Sequence, residues 1–226
     1  MFKIALLLSI LGPLAILSTM AEAKKDRPPP YSADAFTNVA PVAMGVLKRF
    51  VINPFGEVDG LILEDGTLAK YPPHMGAEVT SAVRPSDTVS VRGFRENATT
   101  IKALIITNEV TKRAVVEHPP TPGLGMIPKH LRFATLGRLQ ASGTVERALY
   151  GKRGEINGVM LNDGTIVRFP PHAAFQFAAQ LQSGQTFAAE GLGTQNEYGR
   201  AIEAISIGAT PQTLQPIYDR PIGSAP

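Results

Sequence analysis

Four histidines carry the most versatile chemistry in this chain, and two of them close nearly the same phrase. His74 ends DGTLAKYPPH at 65–74 and His172 ends DGTIVRFPPH at 163–172, with His118 and His130 between them. An imidazole can ligate a metal, move a proton or donate its ring N–H to a carbonyl. A metal centre needs three or four converging ligands. Met75 follows His74, but Ala173 follows His172, so a His–Met pair suited to soft copper is not duplicated. Glu78 stands one helical turn beyond His74, whereas its counterpart is Gln176, a poorer ligand. His118 and His130 add no recognised metal spacing. Metal binding by His74 and His172 is therefore the alternative reading. In the leading one, a ring N–H after Pro-Pro caps a helix, holds a carbonyl or touches a ligand, and no cofactor is expected.

Carboxylates come next. Asp65 and Asp163 repeat, as do Glu57 and Glu155, and paired acids can hydrolyse glycosides. Asp-Gly has a local reason to exist, however, because Asp stabilises turns through its own backbone. Glu57 and Glu155 open a strand and are expected to face Arg49 and Arg147 across it. An envelope hydrolase is the weaker alternative. No nucleophile elbow, phosphate loop or H-E-x-x-H motif is present. Two cations also repeat, Lys70 and Arg168. Alternation along the strand puts each opposite a core aromatic, Tyr71 or Phe169, so both are expected at the surface, as solvated charges or as ligand contacts.

The elements that position these residues come from a duplication. The two phrases lie 98 residues apart, and at that offset Gly45–His74 and Gly143–His172 share 12 identities over 30 positions. Within one copy, 42–50 reads as a first strand bent at Gly45 (Gly143 in the second copy). A second strand, 57–63, is nearly continuously apolar around Gly60 (Gly158). Asp65-Gly66 and Asp163-Gly164 predict a tight primed hairpin turn. The third strand, 67–71, stops at Pro72-Pro73 (Pro170-Pro171), which cannot donate to a sheet ladder. A helix follows, at 74–83 and at 173–184, the latter closed by Gly184. Strands at 87–94 and 100–106 complete the unit, and the Gly-rich 191–199 reads as an enlarged hairpin loop.

The order β-β-β-α-β-β with a bent first strand resembles the OB-fold. The expected architecture is mainly β: two tandem small five-stranded OB-like barrels, each with a short helix between strands three and four. The phrase G-x-V-x-G-x-x-L-x-D-G-T, then P-P-H, a helix and an x-V-x-V-x-G strand, resembles tandem domains in exported bacterial proteins of unassigned function. That resemblance implies fold and export and brings no catalytic residue with it.

The chain has 226 residues and no cysteine, which excludes disulfides, thiol catalysis and thiolate metal sites. Residues 1–23 read as a cleavable signal peptide, with Lys3 before an apolar run and Ala-Glu-Ala before cleavage after Ala23. The expected location is periplasmic or secreted, with no stable membrane span after cleavage. Residues 24–41 read as a mobile N-terminus, 42–110 and 136–208 as the barrels, 111–135 as a Pro/Gly-rich linker and 209–226 as a flexible tail. Net charge is only +3, with acids and bases interspersed, so nucleic acid is not expected as a partner. These features point to a non-enzymatic exported binding or scaffold protein, whose partner is an envelope protein or an oligomeric or small ligand.

Overall fold

The computed structural model describes residues 39–120, 132–151 and 153–218. The expected signal peptide, most of the expected N-terminus, residues 121–131 with His130, and the end of the tail lie outside them. The first barrel is built from β1 (Ala43–Ile52), β2 (Val58–Leu63), β3 (Leu68–Lys70), β4 (Thr88–Asn97) and β5 (Thr100–Asn108). β1 pairs with β4 through its first half and with β2 through its second. β3 runs parallel to β5, which closes the order β1-β2-β3-β5-β4-β1. A 3-10 turn (Pro73–Met75) and α1 (Gly76–Ala82) plug the barrel between β3 and β4, burying Met75, Val79 and Ala82.

The second copy repeats this with β7 (Gly137–Tyr150), β8 (Ile156–Leu161), β9 (Ile166–Arg168), β10 (Thr186–Asn196) and β11 (Gly199–Gly208). It closes in the same order, again through one parallel pair, β9 with β11. Its helix, α2, is shorter than the 173–184 expected and spans Pro171–Gln176. Phe177 leaves helical geometry at φ −109°, ψ 20°. That lets Phe177 and Leu181 bury in the barrel, whereas Phe175 on the helix stays 87% exposed. Residues 191–199 are not an enlarged loop. β10 and β11 pair along their whole length to Asn196–Gly199, with a bulge at Glu190/Gly191. The glycines there are required by close approach, since a Cβ at Gly191 or Gly193 would strike a backbone carbonyl of β11.

The continuous hydrophobicity of strand two has a specific cause. Val159 and Leu161 of β8 point into their own barrel. Met160 between them packs with the first barrel's core, as do Leu149, Ile166 and Ala201. Ile62 and Leu68 are the first-copy equivalents of Met160 and Ile166, and all four are buried in that cluster. Strand two is thus covered on both faces, once by its own barrel and once by the other copy.

Two segments expected to lack regular structure add strands. β6 (Ala114–Val116), inside the expected linker, pairs with β5 and buries Val115. The expected flexible tail is built in as far as Tyr218: a 3-10 turn (Pro211–Thr213) leads to β12 (Gln215–Pro216), which pairs with β11 and carries Ile217 into the core. Both strands are too short to show a period, and Pro119 and Pro120 after β6 and Pro216 in β12 read as breakers. Among the described residues, no helix is long and apolar enough to cross a membrane.

Candidate functional site

The repeated acids are turn staples. Asp65 Oδ1 accepts the Thr67 N–H at 2.8 Å and its Oδ2 accepts the Thr67 hydroxyl at 3.0 Å. Asp163 holds Thr165 identically, at 2.8 and 2.9 Å. The turn itself differs from the primed hairpin expected. Gly66 N–H donates to Leu63 and Leu63 N–H to Thr67, while only Gly66, at φ +83°, enters the left-handed region. The primed turn expected at Asp65-Gly66 would need positive φ at Asp65. The arrangement is instead an ordinary turn followed by a glycine bulge, and the second copy matches it.

The repeated arginines do not pair with Glu57 and Glu155 as expected. Each reaches across to the other barrel's Asp-Gly turn. Arg147 Nη1 donates to the Gly66 carbonyl. Arg49 lies against Gly164, where a Cβ would strike its guanidinium, and pairs with Glu146 at 3.4 Å. This reciprocal exchange is the signature of two copies related by an approximate two-fold axis. Glu57 is taken by Arg132, which also stacks 4.1 Å over Phe55, and Glu155 turns back to Arg153.

The repeated histidines have equivalent structural tasks. His74 Nε2 lies 2.7 Å from the His118 carbonyl, and His172 Nε2 lies 3.2 Å from the Ile217 carbonyl. Each ring holds the segment that follows the added strand, β6 or β12, against its own barrel. In each ring, one of the two nitrogens that could bind a metal donates to a carbonyl instead. Glu78 faces His118 at 3.0 Å rather than His74, and the two imidazoles meet edge to face at 5.4 Å. Among the described residues, no group of three or more His, Cys, Asp or Glu could hold a metal ion.

Lys70 and Arg168, by contrast, converge. Both line an open cleft of about 590 Å³ between the barrels, with Asp59, Tyr150, Glu155 and Asn157. They are not the solvated surface charges expected. Lys70 pairs with Glu96 at 2.6 Å and donates to the Tyr150 carbonyl at 3.3 Å. Arg168 is half-buried and donates to Asn157 at 3.1 Å. Burial pulls its guanidinium pKa down, against the neighbouring carboxylates Asp59 and Glu203.

Asp59 is the residue sequence reasoning missed. It occupies strand two one position before Gly60, and Asn157 is its counterpart before Gly158. Burial pushes its carboxyl up to about 6, although the Arg168 guanidinium favours the ionised form. Burial also raises Glu203, again against Arg168. The available signal was a polar residue inside an otherwise apolar strand, aligned with a polar residue in the other copy. Chemically, the cleft offers paired donors and acceptors, one carboxyl that changes charge near pH 6, and the exposed Tyr150.

Comparisons with known proteins add no identity. No family model matches the chain, and no curated protein matches it. Among solved structures, it is similar to the crystal structure of a deletion mutant of the single-stranded DNA binding protein from Thermus aquaticus. Identity is 14%, coverage is 80% of this chain and 95% of that chain, and the TM-score is 0.23. So loose a superposition carries no argument, and the OB-like description rests on the closed strand order itself.

Proposed function

We propose that this protein is a non-enzymatic binding module of the bacterial envelope, and that its ligand site is the cleft between the barrels. One observation carries the reading. Strands two and three, the face on which OB-folds hold oligomeric ligands, meet their duplicates here, so that the repeated Lys70 and Arg168 line one cleft. Export through residues 1–23 is part of the same proposal. Intact-mass measurement of the protein from an envelope fraction is expected to show a chain beginning at Lys24. Native mass spectrometry of that material is expected to show a bound adduct that the Lys70→Ala variant loses. An adduct that survives in a folded Lys70→Ala variant would place the site elsewhere.

A second reading has specific support. Asp59 and Glu155 share the cleft, and burial holds the Asp59 carboxyl near 6, as suits a general acid with a second carboxyl beside it. Release of reducing ends from an oligosaccharide, abolished in a folded Asp59→Asn variant, would replace binding with hydrolysis.

A further inference from the structure

We infer that the ligand is an uncharged, hydroxyl-rich chain, an oligosaccharide laid across Tyr150; this rests on the cleft being the site proposed above. Lys70 is matched by Glu96 at 2.6 Å, Arg168 stands among Asn157, Asp59 and Glu203, and Arg153 is matched by Glu155 at 3.9 Å. A polyanion gains little from cations that are already paired, and it would face the carboxyl groups of Asp59 and Glu155 in the cleft and of Glu96 in the space adjoining it. A hydroxyl donates and accepts at once, so it can bridge between a paired cation and anion without separating them.

Tyr150 is 41% exposed, and its carbonyl is fixed by Lys70. An exposed ring among planar polar groups offers an apolar face to the C–H side of a sugar while its neighbours reach the hydroxyls. Tyr150 and Gly151 also line an adjoining cleft of about 410 Å³, formed with Asn97, Ala98 and Thr99 at the β4–β5 turn. Open space therefore continues from one cleft into the other at Tyr150, which suits a chain rather than a single sugar.

The test is an amide-shift titration of the full mature chain. The probes are a panel of neutral hexasaccharides with glucose, N-acetylglucosamine, galactose and mannose backbones, beside a heparin hexasaccharide and a twelve-residue oligothymidine. At least one neutral hexasaccharide is expected to shift the amides of Asn97, Tyr150 and Asn157 together, and to bind about tenfold or more tightly than its monosaccharide. Tyr150→Phe should keep that affinity and Tyr150→Ala should lose about tenfold or more, with amides outside the clefts unmoved. If the charged probes shift these amides and no neutral one does, the site stands and the saccharide class is overturned. Should no probe move them, while the adduct seen by native mass spectrometry persists in Lys70→Ala, both the class and the site fall. Equal binding by Tyr150→Ala and wild type would overturn the stacking role and the proposal with it.

Discussion

At the scale of single residues, the two copies have diverged most tellingly at Asp59 and Asn157. The fold accepts a neutral amide at this position, yet the first copy keeps a carboxyl whose pKa is raised to about 6. A raised acid favours the folded state while protonated. Its contribution is full below about pH 4 and is lost as pH rises to about 6, because the native state binds the extra proton across that window. Asp59→Asn is therefore expected to be neutral near pH 4 and to stabilise by roughly 1–3 kcal/mol at pH 7.5, read by urea unfolding at both values. His118 has the same sense of linkage in a higher pH window. Its Nδ1 faces the Pro119 carbonyl at 2.9 Å and its Nε2 faces Glu78 at 3.0 Å. These acceptors, the carbonyl first, raise its pKa above the ordinary value of 6.5. The protonated ring thus ties the chain after β6 to α1 below pH 6.5, and the tie loosens as pH rises through the raised pKa. Hydrogen exchange at Val115 and Val116, corrected for intrinsic rate, should be slower at pH 6 than at pH 8. The difference should vanish in His118→Gln, and a pH-independent rate in wild type would refute the tie.

At the scale of elements, the Asp-Gly turn serves two purposes, and substitution separates them. Gly66 and Gly164 have nearly the same φ, +83° and +89°. A Cβ at Gly66 meets open space, whereas one at Gly164 strikes Arg49. Gly66→Ala should cost about 1 kcal/mol of backbone strain, and Gly164→Ala more than that by thermal unfolding. In an Arg49→Ala background the two penalties should become equal, since only strain remains. The added strand β12 contributes through Ile217, which is 6% exposed, and Ile217→Ala should cost about 2–4 kcal/mol. What the sequence made legible follows the same division. The strand order, the Asp-Gly turns and the inward Tyr71 and Phe169 were readable because each is a local period or a turn preference. The reach of Arg49 and Arg147, the meeting of Lys70 with Arg168 and the carbonyls held by His74 and His172 were not, because each partner is set by how one copy packs on another part of the chain. β6 and β12 were missed because two or three residues show no alternation, and pairing with β5 or β11 overrode their local signals.

At the scale of the whole molecule, the duplication has produced one folding unit. Leu149, Met160, Ile166 and Ala201 belong by sequence to the second barrel but lie in the first barrel's buried cluster. Met160 is fully buried, and its equivalent Ile62 is in the same cluster. Unfolding the second barrel would therefore strip apolar cover from the first, and at roughly 1.5–3 kcal/mol per exposed side chain that loss rivals the stability of a typical small domain. The barrels are expected to unfold in one step. Native-state hydrogen exchange in increasing urea makes this measurable: peptides covering Ile101–Ile106 and Ile202–Ile207 should converge on one free energy and one urea slope. Met160→Ala should lower that shared value by about 2–5 kcal/mol in both peptides, although only one of them belongs to the barrel carrying the substitution. Two separate slopes, with Met160→Ala felt only in the second barrel, would show two independent domains. The cleft bearing Lys70 and Arg168 would then be a space between moving bodies rather than a preorganised site.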